Sequence, residues 1–168
     1  MPIEDLPNLP PASDILLDAN IFIYAFNHQS AQCLGLLRRC AQEEVTGITT
    51  VEIINEVCHR LMLAEAVSKG VITRESASLL KGKGQEIKGF TQYWQQTVKI
   101  FSLNILVLGL EESRVQQAQR MRSLHGLLTN DSVVLAAADE YSIVCLATRD
   151  NDFDNVPGVT VYKPTDLP

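Results

Sequence analysis

The chain has 168 residues, a net charge of −6 and 46% apolar residues, which suits one folded domain with a sizeable core and excludes a disordered chain. Its apolar runs, such as Ile143 to Ala147 and Ile105 to Leu108, fall far short of the roughly 20 residues needed to cross a bilayer. The negative balance argues against a broad nonspecific nucleic-acid footprint, but it does not exclude a nuclease, whose cleft collects carboxylates to hold cations.

The opening MPIEDLPNLPPASD is acidic and proline-rich and lacks the features of a secretory signal. It is expected to be an extended leader over 1–13. Asp14 to Asp18 reads as a short buried strand ending in an acid, and Ala19 to about His28 follows in helical register. A second helix is expected over Ala31 to Glu44, then a strand over Val45 to Thr49. Thr50 can cap a helix over Val51 to Val67, which Gly70 ends. Thr73 caps a further helix, broken at Lys81-Gly-Lys-Gly84, and Gln85 to Phe101 reads as helical despite Gly89.

Asn104 to Leu108 reads as the third strand and Glu111 to Leu124 as a helix with acids first and arginines last, as the helix dipole favours. Thr129 or Asn130 caps the next helix, apolar through Val133 to Ala138. Ile143 to Ala147 is the fourth strand, and Gly158 to Tyr162 reads as a short edge strand. Strands alternating with helices imply parallel pairing. The expected fold is therefore a three-layer α/β/α sandwich around a mostly parallel sheet of four or five strands. It forms a single domain over 14–168 with a helical insertion at about 69–101.

Open parallel sheets gather functional groups beyond the carboxyl ends of their strands. Asp18 directly follows one strand, and Asp150 follows another by two residues. Glu56 lies in the early turns of the helix after the second strand, and Asp131 in the first turn of a later one. Singly, each acid has a plain explanation: a cap, a solvated helix residue, a dipole-favoured acid or a turn former. Together at strand ends they suggest one cleft of four carboxylates. Such a cluster repels itself, because like charges raise one another's pKa. A hard divalent cation, Mg²⁺ or Mn²⁺, relieves that conflict and can activate a water for attack on phosphorus.

Four blocks, in order, carry a resemblance to a known family: Leu16-Leu17-Asp18-Ala19-Asn20-Ile21-Phe22-Ile23-Tyr24-Ala25, Asn55-Glu56-Val57-Cys58-His59-Arg60-Leu61-Met62, Leu128-Thr129-Asn130-Asp131-Ser132, and Leu146-Ala147-Thr148-Arg149-Asp150-Asn151-Asp152-Phe153. The sequence resembles the PIN-domain proteins, of the kind found as VapC-type toxins of prokaryotic toxin–antitoxin pairs. The resemblance implies a Mg²⁺-dependent endoribonuclease, often a homodimer and restrained by a small antitoxin protein. It places metal-binding acids at Asp18, Glu56, Asp131 and Asp150, with Asn20, Asn130 and Thr148 orienting carboxylates or metal waters. Two alternatives stay open. Aligning on Thr49 selects Glu52 in place of Glu56, and Asp152 competes with or joins Asp150.

The stretch Lys69 to Lys99 holds six basic residues and two acids. Lys81, Lys83 and Lys88, with Tyr93 and Trp94 nearby, could grip single-stranded RNA, or could be the solvated face of a helical hairpin. His28, His59 and His125 share no metal-ligand spacing. His59, three residues after Glu56, reads as a structural histidine near the cleft rim. Lys81 to Gly84 has the wrong glycine spacing for a phosphate loop. Cys33, Cys40, Cys58 and Cys145 form no Cys-x-x-Cys pair and are expected to be reduced core thiols, consistent with the cytoplasm. The alternative to RNA hydrolysis is a catalytically silent PIN-like module that binds RNA or protein.

Overall fold

The computed structural model describes residues 3–168. Six strands make one sheet: β1 (Ile3–Asp5), β2 (Asp14–Leu17), β3 (Thr46–Thr50), β4 (Leu106–Leu108), β5 (Cys145–Ala147) and β6 (Thr160–Lys163). Their spatial order is β1-β6-β5-β2-β3-β4, and every pairing is parallel. The sixth strand comes from the leader, where Ile3 pairs with Val161 and Asp5 with Lys163. Its own side chains are exposed, so no period-two burial marked it in the sequence. What anchors it lies just downstream, where Leu6 and Leu9 are buried in the core beside the second helix. Residues 1–2 of the expected leader lie outside the described residues.

The central strands are buried on both faces, which is why they read as unbroken apolar runs. Ile15, Leu16 and Leu17 are fully buried, as are Leu146 and Ala147 of the neighbouring strand. Each large apolar side chain so covered contributes about 1.5–3 kcal/mol. Helices α1 (Ala19–Phe26), α2 (Ala31–Ala41) and α3 (Val51–Ser68) pack on one another along the β2–β3–β4 half of the chain. The connection from β4 back to β5 carries two further helices. Right-handed crossovers put the two groups on opposite faces of the sheet. Thr50 begins α3 by accepting the Ile53 N–H on its hydroxyl, and Gly70, at φ +68°, takes the left-handed turn just after its end.

The segment between α3 and β4 departs from expectation. It holds three short helices, α4 (Ala77–Leu80), α5 (Gly84–Ile87) and α6 (Gln92–Thr97), followed by a 3-10 turn over Val98–Ser102. The helix after Thr73 begins only after Ser76, and Gln85 to Phe101 is not one helix. The break has a cause on a different helix. Glu65 of α3 is buried, and its carboxylate accepts the Thr91 N–H at 3.0 Å and the Tyr93 N–H at 2.8 Å. Those amides are then committed to Glu65, so the chain restarts as α6 there. Leu63, Ala66, Ile72, Leu80 and Phe90 form a small separate core under this segment.

After β4, α7 (Glu112–His125) ends at Gly126 in the left-handed conformation, and α8 (Thr129–Glu140) follows at once. Thr129 and Asn130 lie inside the first turn of α8, and the position before the helix is Leu128. The strand order reverses at β2, with β3 on one side and β5 on the other. That switch point lies beneath the carboxyl ends of β2 and β5. Among the described residues, no helix is long and apolar enough to cross a membrane.

Candidate active site

Asp18 is the first residue past β2. Its N–H donates to the Ala147 carbonyl at 3.1 Å, which locks it beside the end of β5. Its carboxylate caps α1 by accepting the Ala19 N–H on Oδ1 at 2.7 Å. On Oδ2 it accepts from Asn20 Nδ2 and from Thr148 Oγ1, each at 2.6 Å. The capping explanation and the site explanation of Asp18 are therefore compatible.

Thr148 is fully buried and its hydroxyl is saturated. It donates to Asp18 and accepts from Asn20 Nδ2 at 3.1 Å and from the Asp150 N–H at 2.9 Å. One donor and two acceptor positions is all a threonine hydroxyl offers. Asn20 completes the lattice by accepting the Arg149 N–H at 3.2 Å on its Oδ1. Thus Asn20 and Thr148 tie the first sequence block to the last across 128 residues. Asp150 in turn accepts the Asp152 N–H at 3.0 Å in a local turn.

The electrostatics join the remaining acids. Burial drives the Asp18 carboxyl above its ordinary value, and Asp150 adds to this against the opposing Thr148 and Ala19 hydrogen bonds. Glu56 is raised by burial and then by Asp18 and Asp150, with Arg60 and His59 opposing. Asp131 is pushed up to about 6, first by burial and then by Asp150, Asp18, Asp152 and Glu56. Asp18, Glu56, Asp131 and Asp150 therefore lie in one another's fields, and Asp152 reaches that field at Asp131.

Glu52 shares α3 with Glu56. It lies one turn earlier on α3, with Oε2 buried and without a hydrogen-bond partner. Asn130 is exposed and makes no side-chain hydrogen bond among the described residues. Lys81, Lys83 and Lys88 lie on the segment packed against the far half of α3, away from this cluster.

Among the described residues, no three His, Cys, Asp or Glu side chains are close enough together to grip a cation as they stand. Asp150 accepts from its own loop, and Glu56 has Arg60 as a loose ion-pair partner at 3.9 Å. The donor chemistry nonetheless suits a hard cation. It consists of carboxylates alone, three of them raised by burial and by one another.

Sequence reasoning passed over the cationic and aromatic side chains at the rim. Tyr24, Arg60 and Arg149 line a recess with Asn20, Asp150 and Asn151. The available signal was spacing, since Tyr24 follows Asn20 and Arg60 follows Glu56 by one helical turn. The cysteines are all free, with Cys33 and Cys40 buried and pushed up to about 11 by that burial.

The fold resembles several solved structures. VapBC2 from Rickettsia felis, bound to a DNA fragment from its promoter, matches with a TM-score of 0.55 at 19% identity, covering 89% of this chain and 98% of that one. VapC20 from Mycobacterium tuberculosis, a sarcin-ricin loop cleaving toxin, matches with a TM-score of 0.58 at 14% identity, covering 88% and 98%. A toxin–antitoxin complex from Klebsiella pneumoniae matches at 0.50 and 18% identity, covering 87% and 95%. No curated protein sequence matches. The family model described as the PIN domain matches residues 15–159, which includes all four acids and the strands and helices that carry them, and the chain belongs to that family.

Proposed function

We propose that the protein is a metal-dependent endoribonuclease, the toxin of a toxin–antitoxin pair, with Asp18, Glu56, Asp131 and Asp150 as its working acids and Asp152 assisting. The observation that carries this reading is the seating of Asp18 at the strand-order switch point, bonded to Thr148 and Asn20 and within the field of three other carboxylates. Of the solved structures with the same fold, one is a toxin–antitoxin complex and another a sarcin-ricin loop cleaving toxin, which supports this reading.

The five acids would hold Mg²⁺ or Mn²⁺. A bound divalent ion supplies charge neutralisation at phosphorus and lowers the pKa of a coordinated water. The chain's own contribution is position and polarity. Asp18 cannot swing, because three donors hold its two oxygens. Thr148 fixes both Asp18 and the start of the Asp150 turn. Of the two competing helical acids this reading takes Glu56, whose carboxyl is raised by burial and then by Asp18 and Asp150.

A small antitoxin and a second copy of the chain are the partners this reading implies. The exposed apolar side chains Leu124, Leu128 and Val144 offer area for such contacts. The test is cleavage of single-stranded RNA with Mg²⁺ or Mn²⁺ by wild type, Asp18→Asn, Glu56→Gln and Glu52→Gln. Loss in the first two variants by about a hundredfold or more, equivalent to ~3 kcal/mol of transition-state stabilisation, supports the reading. Equal activity in wild type, Asp18→Asn and Glu56→Gln points instead to a contaminating nuclease and a silent binding module.

A further inference from the structure

We infer that Arg60, Arg149 and Tyr24 form a subsite for single-stranded RNA, in which the two guanidinium groups take the phosphate next to the one being cleaved and the Tyr24 ring stacks on the adjoining base; this rests on the nuclease reading above. The recess they line has a volume of about 350 Å³ and includes Asp150, so it opens directly onto the acids. Each of the three is tied in sequence to the acid site. Tyr24 lies one turn past Asn20 on α1, Arg60 one turn past Glu56 on α3, and Arg149 directly before Asp150. The same elements that seat the carboxylates therefore carry the cations.

The two arginines are available to a ligand. Arg60 has Glu56 as its ion-pair partner, at 3.9 Å with both side chains more than a third exposed, a pairing worth little in water. Arg149 is exposed, donates to the Pro168 carbonyl, and sits 5.9 Å from the centre of the Tyr24 ring. A planar guanidinium fork matches phosphate oxygens, and an aromatic face accepts any base.

A second recess, of about 170 Å³, shares Tyr24 and Arg60 with the first. Its other walls include Ile23, Leu61, Ala64 and the carboxylate of Glu75. Asn27 and Gln29 line it as well, so a base stacked against Tyr24 there meets amide groups that can hydrogen-bond its edge. A base can enter only when it is unstacked, which selects single-stranded RNA over a duplex.

The experiment uses the full chain in an Asp18→Asn background with Mg²⁺, so that a fluorescein-labelled single-stranded oligoribonucleotide of mixed sequence binds without being cut. Fluorescence anisotropy is followed across a salt series. Adding Arg60→Gln with Arg149→Gln is expected to weaken binding about tenfold or more. The slope of log K against log salt should shrink by about 0.7, the release expected for one single-strand phosphate. Tyr24→Ala should weaken binding about tenfold with the slope unchanged, and Tyr24→Phe should restore it. Arg60→Lys with Arg149→Lys keeps the charges and should keep the slope, which separates lost charge from lost folding.

Wild-type affinity and slope in the glutamine pair would overturn the inference. So would a slope that falls instead in a Lys81→Gln, Lys83→Gln, Lys88→Gln triple variant. Cleavage measured with Asp18 intact separates the two levels. If the native chain does not cut RNA, the nuclease reading fails. If it cuts and the glutamine pair leaves KM unchanged, only the subsite fails.

Discussion

At the scale of single residues, the site is defined by what holds each carboxyl group. Thr148 and Asn20 spend all their hydrogen bonds on Asp18, on each other and on the Asp150 loop. Asp131 has no such partners and carries the consequence in its titration. Its carboxyl sits near 6 in the folded chain against an ordinary 3.8, so the folded state binds the proton more tightly than the unfolded state. Its contribution to stability is therefore full below about pH 4 and is lost as pH rises through about 6. In EDTA, thermal melts should show this loss between those pH values, and Asp131→Asn should flatten that part of the profile and raise Tm at pH 7. An Asp131→Asn profile as steep as wild type would contradict the assignment. Asp18 and Asp150 were legible in the sequence because they follow buried apolar runs. Arg60 and Arg149 were not singled out, since a surface arginine on a helix or turn carries no signal until the fold shows what lies beside it.

At the scale of elements, local signals sufficed wherever an element closes its own hydrogen bonds. The Thr50 cap, the Gly70 stop and the apolar periodicity of α3 are all readable in isolation. Thr50→Ala should accordingly cost ~1 kcal/mol, read as a lower denaturation midpoint. The reading failed where a distant residue supplies the cap. The helical pattern of Gln85 to Phe101 is real, but Glu65 takes two of its amides and resets the helix at α6. Burial pushes the Glu65 carboxyl up, yet Lys69 and the Tyr93 and Thr91 amides outweigh this and hold it below its ordinary value. Glu65→Ala should leave those amides without their acceptor, at a cost of ~1–3 kcal/mol. Amide exchange should then speed at Thr91 and Tyr93 while β2 and β5 stay protected. Unchanged exchange at those two amides would show that Glu65 does not anchor the segment.

At the scale of the whole molecule, parallel order explains both the fold and the site. An all-parallel sheet with one reversal leaves a single crevice where the carboxyl ends of β2 and β5 diverge. The alternation of strands and helices was enough to anticipate this architecture. The sixth strand was missed because β1 is an exposed edge of three residues whose pairing depends on β6, at the other end of the chain. The net charge of −6 also finds its place at this scale. Part of that charge lies at the switch point, where Asp18, Glu56, Asp131 and Asp150 repel one another, and the proposed divalent cation would answer that repulsion.

That claim is tested most directly by Mn²⁺ binding, observed as anomalous scattering from crystals soaked in the ion and as heat in calorimetric titration of wild type and Asp18→Asn. Mn²⁺ density is expected among Asp18, Glu56, Asp131 and Asp150, with titration heat that disappears in Asp18→Asn. Density elsewhere, or equal binding by the variant, would contradict it.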